Sequence, residues 1–297
     1  MRVKDRYIWL LFIILSVVVS ACSQDTGTSN QSFDASKIRK EISNLDPDDP
    51  EDAAILEGKD LFDKTEVMLP DNVGNEQSCL SCHGDGGLEP NSPMVGVSDR
   101  YPREHHGKHT TIQDRINGCF QRSMNGEPLD ENSEEMEAIV SYFDFISKDV
   151  EGEDDITWRM TNDKDKVPEP DVNHGEELFE EKNCISCHAT DGSGGGMATG
   201  PPIWGENSFN EAAGMNRINK ATAFIQNNMP KDQPGTLTDQ EAADLAAYVL
   251  SHERPVPDPE EIGDYHLDPD RDYITKARRE KIRNGEFDWS ELDVIKK

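Results

Sequence analysis

Apolar residues return at helical spacing in two stretches of the chain that share one plan. In the first, Ile55, Leu56, Leu61 and Phe62 fall on one side of a predicted helix over 53–62. Further helices are predicted over 110–124 and over 133–146. The last carries Met136, Ile139, Val140, Phe143 and Ile146 at spacings of three and four. In the second stretch, Gly175-Glu176-Glu177-Leu178-Phe179 stands where Gly58-Lys59-Asp60-Leu61-Phe62 stands in the first. Thr238-Asp239-Gln240-Glu241 is a capping-box start for a helix bearing Ala242, Leu245, Ala246, Val249 and Leu250. The pattern predicts an all-α chain of two tandem, duplicated units, 51–148 and 174–254. The acidic, proline-bearing stretch 149–173 reads as a linker. The tail 255–297 opens on Pro255, Pro257 and Pro259, and a short helix near 274–283 is expected to pack back across a domain.

The start of the chain is different. A basic stretch, Met1 to Arg6, precedes an apolar run from Tyr7 to Val19. That run is short of the ~20 residues a spanning helix needs and reads as an export signal. It ends Val19-Ser20-Ala21-Cys22, small residues before a cysteine, as at a bacterial lipoprotein cleavage site. The expectation is a signal over 1–22 and a lipid anchor on Cys22. The mature protein would then lie outside the cytoplasm, on the periplasmic face or the outer cell surface. Residues 23–50 are polar and predict a flexible tether.

Charge narrows the function classes. Sixty acidic residues stand against thirty basic ones in 297, a net charge of −30. A nucleic-acid partner is excluded on that balance, because phosphate binding needs a basic surface.

The chemistry lies in the cysteines. Of six, four form Cys79-Leu80-Ser81-Cys82-His83 and Cys184-Ile185-Ser186-Cys187-His188. C-x-x-C-H is the attachment pattern of a c-type haem: two thiols meet the porphyrin vinyl groups and the next histidine ligates iron. A zinc knuckle or a redox dithiol is the other reading of one copy; two copies point to two covalent haems. His83 and His188 are then one axial ligand each. For the second haem the opposite ligand is sought among Met197, Met215 and Met229. Met229 lies 41 residues past His188 and precedes Pro230. For the first haem the candidates are Cys119, Met94, Met124, His105, His106 and His109. Cys119 is the thiol left over once Cys22 is lipidated, 36 residues past His83. Between residues 100 and 122 five basic residues outnumber two acidic ones. Cations of this kind favour a thiolate and attract anions, although a buried structural cysteine on a helix face is the plainer alternative.

The stretch from Thr111 through Gly118-Cys119-Phe120-Gln121-Arg122-Ser123-Met124-Asn125-Gly126 resembles the active-site segment of the dihaem thiosulfate dehydrogenases, or tetrathionate synthases. Gly200-Pro201-Pro202-Ile203-Trp204-Gly205, Ser208-Phe209-Asn210, Ala213-Gly214-Met215 and Asn227-Asn228-Met229-Pro230 resemble that family's second domain. The order of elements over 50–254 is similar to tandem cytochrome c folds. The resemblance implies that Cys119 is the distal ligand of a catalytic haem and that Met229 stands on the distal side of the second. Some members use a lysine there, where this chain has Asn228. It further implies oxidation of two thiosulfates to tetrathionate, reversibly, with electrons leaving to a soluble or membrane acceptor such as another cytochrome. Arg115, Arg122, Arg103 and Ser123 are the expected substrate-binding side chains. Two other readings stand beside this one: a tethered dihaem electron carrier without its own substrate, and a haem-thiolate subunit of a multi-protein sulfur-oxidation system.

Overall fold

The computed structural model describes residues 33–90, 92–105, 107–150, 156–160, 162–195, 200–258, 260 and 272–295. The predicted leader, Cys22, Met197 and the His105 and His106 side chains lie outside this description. Asp34 accepts from the backbone of Ser36 and Lys37 and so starts α1 (Ala35–Ile42), whose Ile38 and Ile42, one turn apart, are buried in the first core. The tether expected over 23–50 therefore gives way to packed helix from residue 35. A good N-cap and a single i,i+4 isoleucine pair suffice where a longer apolar stripe was lacking.

In α2 (Pro50–Asp63), Asp49 caps the free N–H groups and proline occupies the first position, where its missing N–H costs nothing. Short turns follow: α3 (Thr65–Met68), α4 (Cys79–Cys82) and α5 (Gly84–Gly87). A two-stranded antiparallel ribbon, β1 (Arg103–His105) with β2 (Lys108–Thr110), is the one departure from all-helical structure among named elements. Gly107 supplies the left-handed backbone of its turn, at φ +73°. Next come α6 (Ile112–Arg122) and α7 (Glu134–Ser147). The second unit has α8 (Val172–Glu181), α9 (Ile185–His188), α10 (Ile218–Asn228) and α11 (Asp239–Ser251), and α12 (Lys276–Arg283) lies in the tail.

Each unit is built on one helix crossing, and the crossing explains the repeated Gly-x-x-Leu-Phe. At Gly58 a Cβ would lie 1.9 Å from the Ala138 carbonyl oxygen, and at Gly175 a Cβ would lie 2.1 Å from that of Asp244. Tyr142 and Tyr248 fill matching places beside the two glycines. The leucine and phenylalanine that follow, Leu61-Phe62 and Leu178-Phe179, are buried. Burial of Phe62 alone contributes about 1.5–3 kcal/mol. Gly58→Ala and Gly175→Ala are each expected to destabilise the protein by about 1–3 kcal/mol through overpacking, read from the urea midpoint. Unchanged midpoints would show that the helices slide apart freely.

The second core is completed by the tail. Small residues on α11 (Ala243, Ala246 and Ala247) leave room that Ile274, Ile282, Trp289, Leu292 and Ile295 fill. Arg279 is fully buried there, with its Nη2 2.9 Å from Glu211 Oε2 and its Nη1 donating to the Ile274 carbonyl. Burial and the neighbouring Arg279 push the Arg254 guanidinium down to about 9.

Candidate functional site

Two histidines are held in the same way. His83 Nδ1 donates to the Ser92 carbonyl at 2.6 Å, and His188 Nδ1 to the Pro201 carbonyl at 2.8 Å. A neutral ring held through Nδ1 leaves the Nε2 lone pair available to a metal. Burial favours that neutral form, lowering His83 to about 4 and His188 in the same direction. The adjoining thiols argue against a redox dithiol. Burial pushes Cys79 and Cys82 up to about 12 and Cys184 up to about 11, whereas a working dithiol needs a depressed value. Among the described residues no group of three or more His, Cys, Asp or Glu side chains is placed to hold an ion.

The residues do fit a haem. Cys79, Cys82 and His83 line a cavity of about 800 Å³ whose walls include Phe62, Val97, Ile116, Phe120, Ile139 and Phe143. Well-packed interiors leave few voids larger than a water molecule, so a space this large, with an apolar wall beside the Cys79–His83 motif, has room for a porphyrin. Thr65 supports its floor: its hydroxyl accepts from the Cys79 N–H at 3.1 Å.

Helix α6 brings the rest of the chemistry to the cavity. Thr111 and Asp114 form a reciprocal capping box that fixes its start. Buried Asn117 clamps it to the following loop through two bonds with Leu129, at 3.0 and 2.9 Å. Cys119 then faces the cavity, as do Arg115, Arg122 and Ser123. Arg115 Nη1 donates to Cys119 Sγ at 2.8 Å, a contact the i,i+4 spacing makes natural. Arg122 Nε donates to the Gly118 carbonyl at 2.7 Å. Arg103 also lines the cavity, its guanidinium 5.0 Å from the Tyr101 ring centroid. Of the other ligand candidates, Met94 and Met124 line the cavity, while His109 lies outside it, exposed and paired with Glu104. Met215 lines this first cavity, which sets it apart from Met229, the half-buried C-cap of α10.

Several residues here carried no signal in the sequence. The cavity is also lined by Arg159 of the linker and by Arg217 and Lys220 of the second unit. With Arg100, Arg103, Arg115 and Arg122 that makes seven cationic side chains and no carboxylate among the lining residues. A seam of amides holds the two units together. Asn210 donates from its backbone to the Arg122 carbonyl and from Nδ2 to the Gln121 carbonyl, at 3.1 and 2.9 Å. Asn75 Nδ2 bridges the carbonyls of Ser123 and Ser208. Gln77 Nε2 reaches the Pro202 carbonyl at 2.7 Å, next to the residue that holds His188. The Ser208-Phe209-Asn210 motif is thus the second unit's grip on the C-terminal end of α6.

Comparison with known proteins agrees with this architecture. Residues 57–151 match the family described as SoxA/TsdA, cytochrome c domain, and residues 172–253 match cytochrome c. The two domains carry two covalent c-type haems. The chain is 41% identical over 217 residues to the thiosulfate dehydrogenase of Psychrobacter arcticus, covering 71% of this chain and 66% of that protein. It is 38% identical to the thiosulfate dehydrogenase of Allochromatium vinosum, covering 71% of this chain and 82% of that one. The solved thiosulfate dehydrogenase TsdBA of Marichromatium purpuratum aligns with a TM-score of 0.66 at 32% identity, over 76% of this chain and 50% of that one. A pair of cytochrome c domains, with a relative of this identity matched over four-fifths of its length, shows that the chain belongs to the thiosulfate dehydrogenase family.

Proposed function

We propose that this chain oxidises thiosulfate. Two thiosulfate dianions join through a new S–S bond to give one tetrathionate dianion and two electrons. The observation that carries this reading is the placing of Cys119 Sγ, under the Arg115 guanidinium, in the cavity that Cys79, Cys82 and His83 line. When bound, the haems supply one-electron acceptors for the two electrons and a route to an external carrier such as another cytochrome.

The chain's own residues do the rest. Two dianions repel each other, and the cationic wall offsets that repulsion as they meet. Arg115 and Arg122 present planar donor forks suited to sulfonate oxygens, Ser123 adds a hydroxyl at the end of α6, and Arg103 stands at the cavity wall. Cys119 would hold the iron of the first haem together with His83, and its sulfur is the soft donor available to the outer sulfur of thiosulfate. Met229 would hold the second iron opposite His188, a choice supported by Met215 lining the first cavity. The carboxylate-free lining supplies more cations than the two propionates of one haem would engage, and that surplus supports an anionic substrate over an electron carrier with none. The export run and Val19-Ser20-Ala21-Cys22 support an extracytoplasmic protein anchored by lipid at Cys22.

The test is stoichiometric. Purified full-length holoprotein, given thiosulfate and an external oxidant, is expected to consume two thiosulfates for each tetrathionate formed and each two electrons delivered. Reduction of the oxidant without tetrathionate, or no reduction, would refute the assignment.

A further inference from the structure

The cationic side chains of the cavity come from three parts of the chain. Arg100, Arg103, Arg115 and Arg122 belong to the first unit, with Arg115 in contact with Cys119, and Arg159 belongs to the linker. Arg217 and Lys220 come from the second unit, at the N-cap and in the first turn of α10. Both engage one carboxylate: Lys220 Nζ lies 2.9 Å and Arg217 Nη2 3.3 Å from Asp163 Oδ2. Asn219 Nδ2 also donates to Asp163. The Asp163 side chain remains 46% exposed, and Asp163 is not among the cavity-lining residues. Two cations at the wall therefore share the half-exposed Asp163, and Arg217 also lies in the field of Asp272. The carboxylate of this pair is open to water while the cations are more buried, so water competes for Asp163 and makes the pair exchangeable.

Tetrathionate has a sulfonate at each end. The arginines of α6 account for one end of such an ion. We propose that Arg217 and Lys220 form a second anion subsite, which takes the sulfonate of the second thiosulfate and the far sulfonate of tetrathionate, with Asp163 as the counter-ion that this sulfonate displaces. The proposal rests on the thiosulfate-oxidising reading above. Arg217 supplies a fork for two oxygens and Lys220 a mobile point charge. The dipole of α10 adds positive potential at the same end. No bond is made or broken at this subsite, and its role is to bind and align.

Binding of tetrathionate to the fully oxidised holoprotein, which lacks the electrons to reduce it, measures the subsite without turnover. Calorimetric titration of tetrathionate is expected to show binding weakened on the order of tenfold in Lys220→Gln and in Arg217→Gln, with KM for thiosulfate rising in parallel. Asp163→Asn is expected to act in the opposite direction, tightening tetrathionate a few fold, which a folding defect does not produce. Wild-type affinity in Lys220→Gln and Arg217→Gln, in a protein that still turns thiosulfate into tetrathionate, would overturn the subsite and leave the enzyme assignment standing. Unchanged or weaker binding in Asp163→Asn would overturn the counter-ion role. A wild-type protein that neither binds tetrathionate nor consumes thiosulfate would remove the assignment and the subsite together.

Discussion

Cys119→Ala is expected to retain both haems and to lose thiosulfate turnover by on the order of 10³-fold in kcat/KM, the scale at which removing a reacting side chain acts. Attachment depends on Cys79, Cys82, Cys184 and Cys187, and the proximal contacts of His83 and His188 lie on other segments, so haem content should not change. What disappears is the sulfur that accepts from Arg115 Nη1. Loss of a thiolate ligand is also expected to remove a near-infrared charge-transfer band from the ferric protein, which gives a second readout independent of substrate. Arg115→Gln separates the two roles of the pair. The sulfur remains and its cationic partner is gone, so turnover should fall while the ligand band persists in altered form. A Cys119→Ala protein with full haem content and turnover within a few fold of wild type would end the claim that this sulfur takes part.

The largest expected effect on stability lies in the second unit. Arg279→Met should destabilise the protein by about 3–5 kcal/mol, because it strands a buried carboxylate. Glu211 is 3% exposed, and Arg279 Nη2 is its ion-pair partner at 2.9 Å. The same change also removes the donor to the Ile274 carbonyl. Arg254, already costly in its charged form through burial and through Arg279, gains on the loss of that neighbour, so part of the penalty is returned. The double variant Glu211→Gln, Arg279→Met removes both charges of the pair and is expected to recover only part of the loss, because Glu211 also offsets the buried charge of Arg254. Denaturant midpoints of the three proteins decide the matter: equal midpoints for wild type and Arg279→Met would mean that the pair adds nothing.

Local signals were readable from the residues and distant ones were not. The two C-x-x-C-H motifs and the capped helices α7 and α11 announce themselves because motif, cap and apolar period all lie within about fifteen residues. Cys119 was legible by arithmetic, as the thiol left over once the other five had been placed. The order of Gly58 before Leu61-Phe62, repeated at Gly175, exposed the duplication, though only the packing shows why glycine is needed there. By contrast, Asn210 meets Gln121 from 89 positions away, and nothing in an isolated asparagine marks it as a clamp. Arg217 and Lys220 reach the cavity through the docking of two units, so the basic stretch of 100–122 showed only part of the wall. The tail was opaque for a related reason. Helix α12 is mostly charged, and its central residue, Arg279, is buried where a pattern of apolar residues would have pointed to an exposed face.

The amide seam has a consequence for dividing this chain. Each cytochrome c domain has its own core, but the second supplies donors to the backbone at the end of the helix that carries Cys119. Cutting the gene between them would leave the Gln121 and Arg122 carbonyls facing solvent and release the end of that helix. A half-length, single-haem fragment is therefore no minimal catalyst. The second domain thus serves the first as scaffolding, through bonds that only a single continuous chain keeps at hand.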